Sequence, residues 1–78
     1  MSPLTDVAAD VSGWVVRVDP PNRELTILAD GRVLALDVPP GCAVLLNGQP
    51  VRLRLLQSQD RVRVRHRLGT AMHVEVNS

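Results

Sequence analysis

One stretch of the chain decides its fold: Arg61-Val62-Arg63-Val64-Arg65-His66-Arg67, in which charged and apolar side chains alternate with a period of two. That alternation is typical of a β-strand with one face in water and the other in a core. The pattern places the four arginines on the outer face and Val62, Val64 and His66 on the inner face. The stretch is both the clearest strand signal in the chain and its densest block of positive charge.

The composition predicts a single folded domain built mainly from strands. The chain has 78 residues, of which 45% are hydrophobic and 22% charged, values far from those of disordered chains. It contains one Trp and no Phe or Tyr, so its core must be aliphatic and β-branched, which favours strands. No basic-then-apolar leader opens the sequence and no apolar run is long enough to span a bilayer. We therefore expect a cytoplasmic protein without a membrane partner.

Positive charge is concentrated in one segment, although the net charge of the chain is only +1. Residues 50–68 contain six arginines and one aspartate, whereas residues 1–49 contain three arginines and six acidic residues. A segment of this kind either holds an acidic partner or neutralises the acidic first half of its own chain.

The first ten residues predict a tail or a short amphipathic helix ahead of a barrel domain over residues 11–78. Ser2-Pro3 suits a helix start, and helical spacing then relates Leu4, Val7, Ala8 and Val11. A helix this short needs a surface to lie on, so both alternatives remain open.

The turn signals predict strand registers. We expect two-residue type I′ turns at Asp30-Gly31 and Asn47-Gly48, and a strand through residues 51–55. A three-residue loop at 68–70 pairs Val64 with Val74 and Val62 with Val76, whereas a two-residue loop would set valine opposite arginine throughout. The same register places Arg63 beside Glu75 on the outer face.

A stripe of apolar residues is predicted on the outer face of the first three strands. Trp14, Val16 and Val18 share the inner face in this interpretation. If Val16 lies opposite Ile27, the outward residues of three neighbouring strands are Val15, Leu28 and Val33. A contiguous outer patch usually has a cover, which would be either the Leu4–Val11 segment or a second copy of the chain.

Short strands, frequent turn signals and the lack of a long helix predict an all-β fold. The architecture would be a small antiparallel barrel of five to six strands, OB-like or SH3-like, with the possible N-terminal helix described above. Closure removes the exposed edges of a free sheet.

The turn and core positions resemble those of bacterial small OB-like β-barrel domains, most of which have no assigned activity. The matching pattern covers residues 11–76 and reads Gly13-x-Val15, Asp19, Leu25-Thr26-Ile27, Leu46-Asn47-Gly48, Leu53…Leu56, Asp60-x-Val62-x-Val64 and Val74-x-Val76. Those domains share a Leu-Asn-Gly hairpin and a Leu-x-x-Gly-Asp corner. Here the corner runs from Leu56 to Asp60 and has Gln59 in place of the glycine. The resemblance implies a fold and no catalytic residue.

No set of residues predicts catalysis, a metal site, a cofactor or a small-molecule substrate. The lone Cys42 is expected to be a buried hydrophobe opposite Leu53, with no base beside it to lower its pKa. His66 and His73 point to opposite faces in the predicted register, and neither belongs to a set of three or four ligands. We expect His66 to be a partly buried core residue and His73 to be solvated.

The sequence favours a non-enzymatic interaction module that binds a protein partner or itself. Its candidate surfaces are the stripe of Val15, Leu28 and Val33 and a basic face made of Arg52, Arg54, Arg61, Arg65 and Arg67. The alternative is a nucleic-acid-binding barrel that contacts phosphates with this basic face. Single-strand binders of this type usually add stacking aromatics, and the only Trp of this chain is predicted to point inward.

Overall fold

The computed structural model describes residues 8–77, which form seven strands and one short 3₁₀ helix. The strands are β1 (Ala9–Asp19), β2 (Glu24–Ala29), β3 (Arg32–Asp37), β4 (Ala43–Leu46), β5 (Gln49–Pro50), β6 (Arg61–Arg67) and β7 (Thr70–Asn77), and the 3₁₀ helix is Leu53–Leu55. They belong to one sheet of order β3-β2-β1-β6-β7-β4-β5, which closes where Asp37 of β3 pairs with Thr70 of β7. The predicted small all-β barrel is confirmed. It is not wholly antiparallel, because β3 and β4 both run parallel to β7.

Strand β6 is a wall of the core, as its alternation predicts. Val62 pairs with Val76 and Val64 with Val74 on the β7 side, and Val64 pairs with Val11 on the β1 side. The valines of β6 and β7 in these pairs are buried, and the largest fully buried side chains are Val15, Leu25, Ile27, Val38, Val64, Val74 and Val76. No buried residue of the described range is polar or charged, so burial of aliphatic surface is the main source of stability.

Strand β1 pairs with two neighbours, and the alternation of its inward and outward side chains shifts along its length. Its first half, up to Trp14, pairs with β6, and its second half, from Trp14, pairs with β2. A bulge lies between Val15 and Arg17, so that Val16 has no partner in the β2 register. A bulge inserts one residue and bends the strand, and the residues on its two sides therefore follow different alternations.

The bulge makes the predicted orientation of this strand wrong. Val15 lies opposite Ile27 and is 1% exposed, whereas Trp14 and Val16 are each 45% exposed. A one-residue shift moves side chains to the other face, and a strict period of two cannot anticipate it. Beyond the bulge, Val18 packs against the core as predicted.

The corner before β6 holds the bulged part of β1 through backbone hydrogen bonds. The amide of Val15 donates to the carbonyl of Asp60 at 2.8 Å, and the amide of Gln59 donates to the carbonyl of Val15 at 2.7 Å. The Asp60 carboxylate in turn accepts from the amide of Gln57 at 3.0 Å. Gln59 has a φ of 74°, in the left-handed region that glycine adopts without strain.

The β6–β7 turn contains two residues rather than the predicted three. Leu68 and Gly69 have φ of 51° and 82°, and Arg67 pairs directly with Thr70. A bulge then inserts Met72, so that His66 lies opposite Ala71. The bulge restores the predicted pairing of valine with valine, which a two-residue turn alone would have broken.

The predicted strand over residues 51–55 is wrong. The Asn47-Gly48 turn forms as predicted, with φ of 51° and 85°, but β5 ends at Pro50. Proline offers no N–H to a ladder, and after one further hydrogen bond from Val51 to the Val44 carbonyl the chain enters the 3₁₀ helix. The Asp30-Gly31 turn and its register, including Ile27 opposite Leu34, are confirmed.

The predicted N-terminal helix does not extend to Val11, because Ala9–Asp19 is a strand. Val11 packs against the core beside Val64, and a ladder with β6 satisfies the backbone better than a marginal helix would. Residues 4–7 of the predicted helix lie outside the described residues, and the domain boundary at residue 10 stays a prediction.

Gly13 allows β1 to approach β2 closely, so Gly13→Ala should destabilise the barrel. A Cβ at this position would overlap the Leu28 carbonyl group, a part of the backbone that cannot move freely. Overpacking of this kind costs about 1–3 kcal/mol, measurable as a lower midpoint in urea. The matched control is Gly41→Ala, because nothing lies within 4 Å of a Cβ at position 41. Equal stability of the two variants would contradict this packing.

Gln59→Gly should stabilise the protein. Relief of the left-handed strain contributes about 1–2 kcal/mol, and the greater freedom of glycine in the unfolded chain costs about 0.5–1 kcal/mol. The net gain should be roughly 0.5–1 kcal/mol in urea unfolding. Gln57→Gly, in the same corner, should instead lower stability, and a loss of stability in both variants would disprove the strain.

Candidate interaction surfaces

A row of outward side chains crosses four neighbouring strands. The register places Val33 of β3 beside Leu28 of β2, Leu28 beside Trp14 of β1, and Trp14 beside Arg61 of β6. We call these four residues the Trp14 row. Val33 is 65% exposed, Trp14 45% and Leu28 38%, so the three apolar members offer a continuous surface to solvent.

Trp14 is the centre of this row. The guanidinium carbon of Arg61 lies 5.1 Å from the centroid of its ring, a cation–π contact worth about 0.5–1 kcal/mol at an exposed site. The indole also lines a shallow depression of about 540 Å³ with Val16, Leu28 and Gln59. An aromatic side chain held in this way offers a large rigid contact area at a low entropic cost, as interface anchors do.

The apolar stripe of the structure therefore contains Trp14 in place of the predicted Val15. Leu28 and Val33 lie on the outer face as expected, but the predicted third member, Val15, is buried in the core. Trp14 takes its place beside Leu28 because of the bulge. The sequence pattern did not predict Trp14 at the surface. The signal that would have indicated it is the alternation of Val11, Gly13 and Val15, which places Trp14 on the opposite face.

The arginines of β6 are partly neutralised by carboxylates on the neighbouring strands. Asp10 lies opposite Arg65, and the pair is bidentate: Nε is 3.0 Å from Oδ1 and Nη2 is 3.3 Å from Oδ2. This hydrogen bond from Arg65 holds the pKa of Asp10 below its ordinary value and raises the pKa of Arg65. The sequence did not predict the pair, because Asp10 was assigned to a tail or helix.

A second carboxylate, Glu75, borders the same face from β7. It lies opposite Arg63, as predicted. Its Oε1 is 3.0 Å from Nε2 of His73, so His73 is not simply solvated as predicted. Together with Asp10 and Arg65, these side chains line a depression of about 380 Å³ that contains both signs of charge. The face is mixed rather than purely basic.

The remaining predicted arginines do not extend this face as one patch. Arg67 lies opposite Thr70 at the end of β6. Strand β6 is flanked by β1 and β7, so Arg52 and Arg54, next to and within the 3₁₀ helix, are not on an adjacent strand. They line a different depression with Arg23. The predicted basic face is thus two separate surfaces.

The described residues offer little nucleophilic or metal-binding chemistry. Cys42 is half-buried, and burial raises the pKa of its thiol even though the positive charge of Arg23 acts in the opposite direction. His66 is partly buried, as expected, and its Nδ1 lacks a hydrogen-bond partner within the described part. Between residues 8 and 77, no three His, Cys, Asp or Glu side chains are grouped to hold a metal ion. No helix of the same range is long and apolar enough to cross a membrane.

Comparison with solved structures confirms the barrel fold. The chain is similar to the solved structure "Crystal structure of Ag(I)CusF", with a TM-score of 0.67 and 13% sequence identity, over 90% of this chain and 97% of that chain. At this identity the likeness concerns the fold alone. No family model matches the chain, and no curated protein matches it.

The Asp10–Arg65 pair gives a direct electrostatic prediction. NMR titration should place the pKa of Asp10 below 3.8, and Arg65→Gln should raise it back towards that value. A carboxyl whose pKa is lowered by folding stabilises the folded state above its unfolded pKa and loses this contribution as the pH falls through the folded pKa. Arg67→Gln is the charge-matched control and should leave Asp10 unchanged. An Asp10 pKa unaffected by Arg65→Gln would contradict the pairing.

Proposed function

We propose that this barrel is a non-enzymatic interaction module that associates with a protein surface, either a second copy or another chain, through the Trp14 row. The observation that carries the proposal is the exposure of Trp14, Leu28 and Val33 side by side on three strands. Isolated exposed hydrophobes are ordinary, but contiguous ones with an aromatic anchor mark interfaces. A partner that fits would be apolar, with a carboxylate near Arg61.

One charged residue borders the apolar part of the row and would orient a partner. Arg61 lies over Trp14 at one end of the row. Charges at the rim of an interface contribute mainly to orientation and association rate, whereas the apolar centre supplies affinity. The location of the protein, expected to be the cytoplasm, stays a prediction.

Leu28→Asp should weaken association while leaving the fold intact. Leu28 is 38% exposed, so the barrel tolerates a carboxylate there, whereas an interface formed over it does not. Light scattering on a size-exclusion column measures the molar mass at increasing protein concentration and so detects a dimer of the chain. The variant should self-associate at least tenfold more weakly than the wild-type chain. The control is Ala35→Asp, a substitution at an exposed position of β3 outside the row.

A photo-crosslinking residue distinguishes a different protein from a second copy. Placed at Val33, it should yield a defined adduct in cells that contain the chain, and the same residue at Ala35 should yield much less. Both positions are exposed on one strand two residues apart, so accessibility is matched. A monomer at all concentrations with equal, diffuse adducts at both positions would contradict the proposal.

Nucleic-acid binding is a second candidate, and the exposure of Trp14 favours it. An exposed indole beside Arg61 is a stacking platform of the kind that single-strand binders use. Against it, the flanking strands carry Asp10 and Glu75 on the same face. Three phosphate contacts would give a slope of about −2 in log K against log salt for a single strand. Labelled oligonucleotides at two salt concentrations test this, and no salt-sensitive binding, or equal binding by Trp14→Leu, would exclude it.

The Ag(I) of the similar CusF structure is a property of that protein. We propose neither a metal nor another cofactor for the interaction role of this chain, because that role depends on exposed apolar and cationic side chains.

A further inference from the structure

Three arginines meet in one depression away from the Trp14 row. Arg23 comes from the loop between β1 and β2, Arg52 precedes the 3₁₀ helix and Arg54 lies within it. The depression has a volume of about 430 Å³, and its walls also include Cys42, Val51 and Leu53. Residues distant in sequence thus place three arginines around one depression that apolar residues also line.

Arg23 is fixed in place by the backbone around it. Its Nε donates to the carbonyl of Val38 at 2.8 Å, and its Nη2 is 3.4 Å from the carbonyl of Pro39. Its amide donates to the carbonyl of Pro20, and its φ of 51° lies in the left-handed region that residues with side chains seldom adopt. The strain and the carbonyl contacts hold a half-buried guanidinium at the wall of the depression, with further N–H donors left over.

The positive charge of the depression is not balanced by this part of the chain. No carboxylate lines it. Within the described residues, the side chains of Arg52 and Arg54 make no hydrogen bond or ion pair. Asp19, beside Pro20 in the adjoining loop, is engaged by Asn22 at 3.0 Å and by Arg17 at 3.5 Å. Like charges that share one site repel each other, and a bound anion removes that cost.

We propose that this depression binds a small organic phosphate. Guanidinium groups supply planar pairs of donors that match phosphate oxygens, and the apolar lining residues Val51 and Leu53 suit an organic moiety. The volume lies within the range of about 300–1,000 Å³ common to small-molecule sites. The site is independent of the Trp14 row, so either proposal stands if the other fails.

The chain carries its own reporter for this site. Cys42 lines the depression and is the single cysteine of the sequence. Its rate of alkylation by iodoacetamide, an uncharged reagent, should fall saturably when pyrophosphate or adenosine monophosphate is added at constant ionic strength and pH. A bound phosphate blocks the approach to the thiol and disfavours its reactive thiolate form.

Charge-matched double variants separate a specific site from general attraction. Arg52→Gln with Arg54→Gln should weaken the protection at least tenfold, whereas Arg32→Gln with Arg67→Gln should leave it unchanged. All four side chains are exposed, so folding is expected to persist and is checked by amide NMR spectra. The same spectra give a second readout, because ligand shifts should centre on residues 42 and 51–55.

Three results would each overturn the proposal. One is the absence of saturable protection and of localised shifts at millimolar ligand. Another is equal protection in both double variants, which would indicate general charge screening. The third is protection by oligonucleotides alone, which would assign the arginines to a polymer instead of a small ligand.

Discussion

The hydrogen bonds between the bulged part of β1 and the corner before β6 are the interaction on which the rest of the structure depends. The amide and carbonyl of Val15 are both bonded to this corner, at Asp60 and Gln59. Because the bulge follows immediately, Val15 points into the core opposite Ile27, and Trp14 points outward beside Leu28. One inserted residue therefore places Val15 in the core on one side of the sheet and Trp14 in the exposed row on the other.

Strand β6 contributes buried valines to the core with one face and exposed arginines to the surface with the other. Its valines pair with those of β7, and its arginines stand between strands that carry Asp10 and Glu75. The bidentate contact of Arg65 with Asp10 and the stacking of Arg61 on Trp14 engage two of the four arginines. Half of the arginines in the densest block of charge are thus engaged in contacts within the chain. Arg52 and Arg54, whose side chains have no ion pair among the described residues, line a separate depression with Cys42.

Most of the fold was predictable because its turns have strong local signals. Asp30-Gly31 and Asn47-Gly48 determine their hairpins, and the alternation in β6 determines which of its side chains face the core. Two of the errors, the orientation of β1 and the length of the β6–β7 turn, share one cause, which is that local periodicity does not reveal inserted residues. The bulges at Val16 and Met72 each shift a register, and the one at Val16 adjoins Val15, which is bonded to the distant corner before β6.

The surfaces were less predictable than the core. The sequence pattern correctly predicts Leu28 and Val33 as outward residues. It predicts Trp14 inward and Val15 outward, whereas the structure has Trp14 exposed and Val15 buried. The pairing of Asp10 with Arg65 joins the two ends of the chain, and the meeting of Arg23 with Arg52 and Arg54 depends on how the 3₁₀ segment folds over the β1–β2 loop. Such long-range neighbours depend on topology and not on spacing.

The most direct test of this account is the accessibility of Trp14, which is the only tryptophan and therefore the sole source of indole fluorescence. In dilute protein, acrylamide should quench its emission nearly as readily as that of a tryptophan in an unfolded peptide, and association should then protect it in a concentration- or partner-dependent manner. A blue-shifted emission that resists quenching in the dilute monomer would place the indole in the core and contradict both the orientation of β1 and the surface built on it.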